Sequence, residues 1–168
     1  AGLDFLVRRA TSDPTSLEGL ERGARLADRM FSARPENPNL ANNVGFVNRD
    51  AAVLREMDAT ARFARAESDE DRAAAAHSRA RAQELIERSW AAYCIAAAMT
   101  PDDVRVVNDT GLIMTYYLRT DAEAAERYLL DAVADGTVQI QAEMGERERF
   151  DLNEAWGDAH QNMGILEM

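Results

Sequence analysis

The sequence predicts an all-α fold built as a stack of repeated helical units, and three observations carry that reading. First, a signature recurs at fixed internal spacing: Pro35-x6-Asn42-Asn43-Val44-Gly45-Phe46-Val47 is echoed by Pro101-x6-Asn108-Asp109-Thr110-Gly111-Leu112-Ile113. A weaker third copy closes the chain, Gln161-Asn162-Met163-Gly164-Ile165-Leu166. Self-similarity of this kind marks stacked repeats that present a surface to a partner, rather than a single-site enzyme. Second, four prolines and nine glycines leave room for long uninterrupted helices. Third, alanine and arginine are abundant and β-branched residues few, which favours helix over strand. Hydrophobic residues make up 46% of the 168, enough for a substantial core and too many for a disordered chain. One repeat domain over residues 1–168 is expected.

Each element follows from local chemistry. A short helix is expected from about Leu3 to Ala10, stopped at Thr11-Ser12-Asp13-Pro14. Asp13 can cap the next helix, with Pro14 in the first turn where its missing N–H costs nothing. That second helix runs to about Arg34, with Leu17, Leu20, Ala24, Ala27 and Phe31 at three-to-four spacing, and Pro35-Glu36-Asn37-Pro38 ends it.

From Asn39 to Ala66 the sequence predicts one long helix. Its stripe is Leu40, Val44, Val47, Ala51, Leu54, Met57, Ala61 and Ala64. The polar run Glu67-Ser68-Asp69-Glu70-Asp71 is the turn, with Ser68 as N-cap and acids favoured by the helix dipole in the first turn. A second long helix follows from about Glu70 to Met99, with Ala75, Ala82, Ile86, Trp90, Tyr93 and Ala97 on its stripe and Ala96 alongside. The two pair antiparallel over roughly 40 Å at about 1.5 Å per residue. A hairpin of doubled length explains why matching prolines fall at 35 and 101. A degenerate extra repeat hidden between them is the rival, but no turn chemistry occurs between Ala73 and Met99.

Thr100-Pro101-Asp102-Asp103 starts the next helix, which carries Val107, Gly111, Met114 and Leu118 on one face. Thr120-Asp121-Ala122-Glu123 is a capping box for a helix ending near Asp135-Gly136. The stretch from Thr137 to Met168 is expected to be helical with a break near Gly145; Trp156, Ala159, Met163 and Leu166 face one way.

Charge narrows the partners. The formal net charge of −11 disfavours nucleic acid and anionic membranes, which need a positive surface. It favours a basic or neutral protein segment, or serves solubility alone. There is no lysine, which points to a GC-rich coding genome rather than a mechanism. Cys94 is the sole cysteine, so no intramolecular disulfide forms, and a reducing, cytoplasmic setting is expected. No apolar run is long enough to span a bilayer and no leader pattern opens the chain. Ala1 at the start and a helical pattern running into Met168 read as a fragment of a longer protein, from which an export signal could have been removed.

This pattern resembles the tetratricopeptide repeat, a helical hairpin that stacks into an α-α superhelix. Ser89, Tyr93 and Ala96 followed by Pro101, then Gly111, then Ala125, Tyr128 and Ala132, match the family's small and aromatic positions. Two departures stand out. The first helix is about two residues longer than usual between Gly111 and Asp121, and Val107 and Thr110 replace the preferred Trp and Leu. The segment from Ser89 to Ile165 is also similar to bacterial repeat proteins with one elongated hairpin. A glycine inside a helix costs about 1 kcal/mol relative to alanine. Its repetition at Gly45 and Gly111 predicts close approach by a neighbouring helix.

The resemblance implies a concave groove lined by the first helix of each unit. Carried over, it gives Asn42 and Phe46, Asn108 and Leu112, with Gln161 and Ile165 as a weak third pair. Asn beside an apolar group suits an extended peptide, because the amide bonds backbone in either sense. The family's carboxylate-gripping variant uses lysines, which this chain lacks; Arg49 and Arg105 are the nearby cations. Tyr116, next to Tyr117 and Leu118, extends the partner-binding set or serves in helix packing. Equally, Asn42 and Asn108 simply bond neighbouring helices.

Catalysis finds little support. His77 and His160 share no ligand spacing, and a metal site needs three or four converging ligands. Cys94 reads as a small buried residue rather than a nucleophile. There is no phosphate loop, nucleophile elbow or paired-Cys motif. No cofactor or metal is expected. The chain reads as a non-enzymatic scaffold that binds a protein or peptide. The alternatives are a self-associating assembly module or a helical accessory domain of a larger enzyme.

Overall fold

The structure is a computed structural model and describes residues 16–119 and 121–166. Among these residues are six α-helices, one π-helical turn and no strand, so the fold is all-α. The chain divides into two compact units, Ala1–Ala92 and Tyr93–Met168. The helix expected over Leu3–Ala10 and the Asp13-Pro14 start lie outside the described residues.

The first unit holds α1 (Leu17–Ala33), α2 (Pro38–Ala64) and most of α3 (Asp69–Met99). Side-chain caps set their starts. Ser16 Oγ accepts from the Gly19 N–H at 3.3 Å. Asn37 Oδ1 accepts from the N–H groups of Asn39 and Leu40 at 3.0 and 3.3 Å, with Pro38 in the first turn. At α3 a reciprocal box forms: the Asp71 N–H donates to Ser68 Oγ at 3.1 Å and the Ser68 N–H to Asp71 Oδ2 at 3.0 Å. Ser68 is the cap the sequence predicts.

The two long helices run antiparallel, since Ser89 bonds Gly45 while Ser78 bonds Arg55. Their buried residues are mostly small. Ala51, Ala52 and Ala59 of α2 are buried, as are Ala75, Ser78 and Ala82 of α3. Polar stitches supplement this thin apolar seam. Ser78 Oγ donates to Asp58 Oδ2 at 3.2 Å and Arg79 pairs with Glu56 at 2.9 Å. α1 packs along one side, with Ala24 against Val47 and Ala27 against Val44 and Ala92. Ion pairs Arg55–Glu21 and Arg88–Asp28 tie it to both long helices.

The predicted stripes need two corrections. Met57 is 62% exposed, and Ala61 and Ala64 are exposed too. The buried line drifts instead through Ala52 to Ala59, as a 3.6-residue helix drifts against a strict three-four reading. Trp90 is 37% exposed and Ser89 takes the buried position, because its hydroxyl donates to the Gly45 carbonyl at 2.7 Å.

Beyond Ala59 almost nothing apolar is buried until Ala75. Amide exchange in this unit should therefore be fastest from about Phe63 to Ala74. Hydrogen-exchange mass spectrometry on the monomer checks this, and strong protection there would overturn it. Ser68's hydroxyl and N–H hold the Asp71 carboxyl below its ordinary range. The box's contribution is thus present at neutral pH and fades as pH falls through that lowered value.

The second unit holds α4 (Val104–Ile113), a π turn (Met114–Leu118), α5 (Ala122–Gln139) and α6 (Glu146–Leu166). Asp103 caps α4 through the N–H groups of Arg105 and Val106. Asp121 caps α5 by accepting from the Ala124 N–H at 3.0 Å. Val104, Val107, Ala132, Ala155 and Ala159 form the core, with Tyr128, Val133, Leu152 and Trp156 packed around it. A smaller cluster joins Met114, Ala124 and Ala125 to Leu166.

Glycines set the close approaches here. A Cβ on Gly111 would sit 2.8 Å from Leu129 Cδ2, so α4 and α5 meet at the glycine as predicted. Gly136 does not end its helix: α5 continues to Gln139, and Trp156 lies over Gly136, 2.4 Å from where a Cβ would be. Gly164 meets nothing within 4 Å, so the third copy of the signature has no packing role at its glycine.

Candidate functional site

In the second unit, α4 and α6 are joined by a chain of neutral polar groups. Tyr116 Oη donates to Asn162 Oδ1 at 3.2 Å, and Asn162 Nδ2 donates to Asn108 Oδ1 at 2.9 Å. Asn108 and Asn162 are buried, while Tyr116 is 36% exposed. Asn108 is therefore a helix-bonding residue, not a groove-lining one. Of the two roles open in the sequence, the structure supplies the packing one. Gln161, the expected partner in the third copy, is exposed, and its neighbour Asn162 turns inward instead. Leu112 is half-buried between these positions along α4.

Tyr116 owes its position to the π turn. The turn is closed by the Arg119 N–H donating to the Met114 carbonyl at 2.8 Å. Arg119 and Asp121 both take left-handed backbone conformations, at φ 51° and 50°. π turns and left-handed non-glycine residues are strained and concentrate at functional positions. The turn leaves Tyr116 and Tyr117 side by side at the surface, ring centroids 6.4 Å apart.

The first unit carries the other predicted set on α2. Phe46 is 43% exposed, and the Arg49 guanidinium lies 5.1 Å over its ring, a cation–π pair. Asn42 sits one turn before Phe46; its Oδ1 is buried and accepts no hydrogen bond among the described residues. Gly45 and Ser89 touch, and Phe46 and Trp90 each follow by one residue. In an antiparallel pair this 100° step turns both to the same side at the same height. α1 covers the opposite side through Val44, Val47 and Ala92. The pattern repeats in sequence, but Trp90's part in this face was legible only with the α2–α3 register in hand.

Arg105 lies one turn before Asn108 on α4 and likewise bonds α6. Its Nη2 donates to Glu154 at 2.8 Å and to the Asp151 carbonyl at 3.1 Å. Burial works against its charge, but the Glu154 carboxylate outweighs that and raises its pKa. It clamps α4 to α6.

Burial pushes the Cys94 thiol up, with a hydrogen bond to Tyr128 opposing, so no ready thiolate forms. His77 and His160 are both exposed, the latter edge-on to Trp156 at 5.1 Å. No group of three or more His, Cys, Asp or Glu among the described residues is placed to hold a metal ion. No helix among them is long and apolar enough to cross a membrane. Comparison with protein-family models, curated proteins and solved structures finds no match to this chain.

Proposed function

We propose that the chain is a tetratricopeptide-like interaction module that binds protein or peptide segments on exposed faces of its helical hairpins. The superhelical stacking implied by the resemblance belongs to this reading. One observation carries it: large apolar side chains stay exposed on helices of both units. Among them are Phe46 and Met57 on α2, and Tyr116 and Tyr117 on the π turn after α4. Exposed aromatics with a neighbouring arginine are the groups that dominate protein interfaces. Asn42, one turn from Phe46, adds an amide suited to an extended backbone.

Asn108 belongs to the packing, so its truncation would mix folding with binding. The cleaner test pairs Phe46→Ala with Tyr117→Ala. Partners captured by the purified 168-residue chain should lose about tenfold or more in affinity to the double variant, while its melting curve matches the parent. Full affinity in that variant would move the site elsewhere. Absence of any partner, together with concentration-dependent size in light scattering, would favour self-assembly.

A further inference from the structure

A cleft of about 610 Å³ opens in the second unit between the start of α4, the end of α5 and the first turns of α6. Its floor is apolar: Val104 and Ala155 are buried and Leu152 half-buried. Gln139 closes one end by donating from Nε2 to the Asp102 carbonyl at 2.6 Å. Around the floor stand the exposed carboxylates of Asp102, Glu148 and Asp151.

Of these carboxylates, Asp151 pairs with Arg147 at 4.0 Å, and the cleft's own cation does not neutralise Asp102 or Glu148. Arg105 is held by Glu154 and the Asp151 carbonyl, and Asp103 is engaged in capping α4. Asp102 and Glu148 form no ion pair among the described residues. The wider field points the same way. Residues 1–92 carry 15 acids against 14 arginines, whereas residues 93–168 carry 15 against five. Nearly all of the net charge of −11 therefore sits in the unit that bears the cleft.

An apolar floor under spaced carboxylates selects among cations. The carboxylates do not converge as metal ligands would. Ammonium groups are compact and strongly hydrated, and gain little from an apolar floor. A guanidinium is planar and weakly hydrated on its faces, and it donates from its edges to two carboxylates at once. We propose that this cleft docks an arginine side chain from a basic segment of a protein partner. The proposal rests on the reading of the chain as a partner-binding module and supplies the chemistry of one partner contact.

The test uses the whole 168-residue chain and two fluorescein-labelled peptides, one of six arginines alternating with serines and one of six lysines alternating with serines. Fluorescence anisotropy should show the arginine peptide binding at least fivefold tighter. Asp102→Asn with Glu148→Gln should weaken it at least tenfold and bring it to the lysine level. Glu126→Gln with Asp131→Asn removes the same charge from the exposed surface of α5 and should change binding less than threefold. Equal losses in the two variants, equal binding of the two peptides, or no binding of either would overturn the proposal.

A second measurement needs no substitution. NMR of the unaltered chain should show Val104 and Leu152 shifting on arginine-peptide addition, and unmoved resonances there would count against the cleft. Phe46 and Tyr117 lie outside it, so failure here leaves the helix-face reading standing. Retained partner binding in the Phe46/Tyr117 variant, with arginine docking intact, would overturn that reading alone.

Discussion

Replacing Gly136 by alanine should destabilise the second unit by about 1–3 kcal/mol, the usual cost of overpacking. The sign is the informative part. In an open helical position the same change would stabilise by about 1 kcal/mol, because glycine loses more backbone freedom on folding. Here the new Cβ would lie 2.4 Å from Trp156 Cδ1 and 2.8 Å from Cγ. Those are ring atoms, so a torsion within the side chain cannot clear them without moving the whole indole. The indole is held, since its Nε1 donates to the Val133 carbonyl at 3.2 Å and its ring meets His160 edge-on. In a Trp90→Phe background, Trp156 is the sole tryptophan and reports this unit by fluorescence during urea unfolding. Gly164→Ala provides the control: it meets nothing within 4 Å and should leave stability unchanged or raised. A raised midpoint for Gly136→Ala would contradict the close contact.

Gly136 also shows where sequence reasoning stops. Asp135-Gly136 reads as a helix end because glycine usually follows the last turn. The residue that packs over it, Trp156, lies 20 positions further on and leaves no local trace. Asn108 is similar: its partner Asn162 is distant, and an amide on a helix has the same local chemistry whether it meets a peptide or another helix. What was legible rests on local rules. Ser68 and the Asp102-Asp103 start are written in the sequence by cap chemistry, and the structure uses Ser68 and Asp103 as caps; the Asn37 cap with Pro38 was read only as the end of the preceding helix. Gly111 was legible because its signature recurs.

The long hairpin was half legible. Its two helices and their turn follow from the absence of breakers. Its buried face does not, because alanines surround both helices and offer several equivalent stripes. Ser78 and Ser89 decide the register through hydrogen bonds to Arg55, Asp58 and Gly45, and no hydrophobic pattern reveals a buried serine. Met57 and Trp90 are consequently exposed where a stripe of apolar residues would bury them. Met57 is one of the exposed side chains on which the proposed binding role rests.

Leu129→Ala and Gly111→Ala should each destabilise the second unit, yet their combination should cost less than the two effects added. Leu129 is fully buried, so its truncation alone should cost about 2–5 kcal/mol in lost transfer energy and cavity formation. Gly111→Ala places a Cβ 2.8 Å from both Leu129 Cδ2 and Cγ and 3.2 Å from Tyr128 Cβ. Leu129 is enclosed and cannot swing into solvent, so the clash should outweigh the helix-propensity gain of about 1 kcal/mol. With Leu129 truncated, the two nearest atoms are gone and the new methyl occupies part of the space they leave. The propensity gain then emerges, and the double variant should recover at least about 1 kcal/mol relative to additivity, within the range seen for residues in direct contact. Independent sites add to within about 0.5 kcal/mol. Additivity at that level would mean that α4 and α5 do not meet at Gly111, and the shared explanation of the repeated glycine would fall with it.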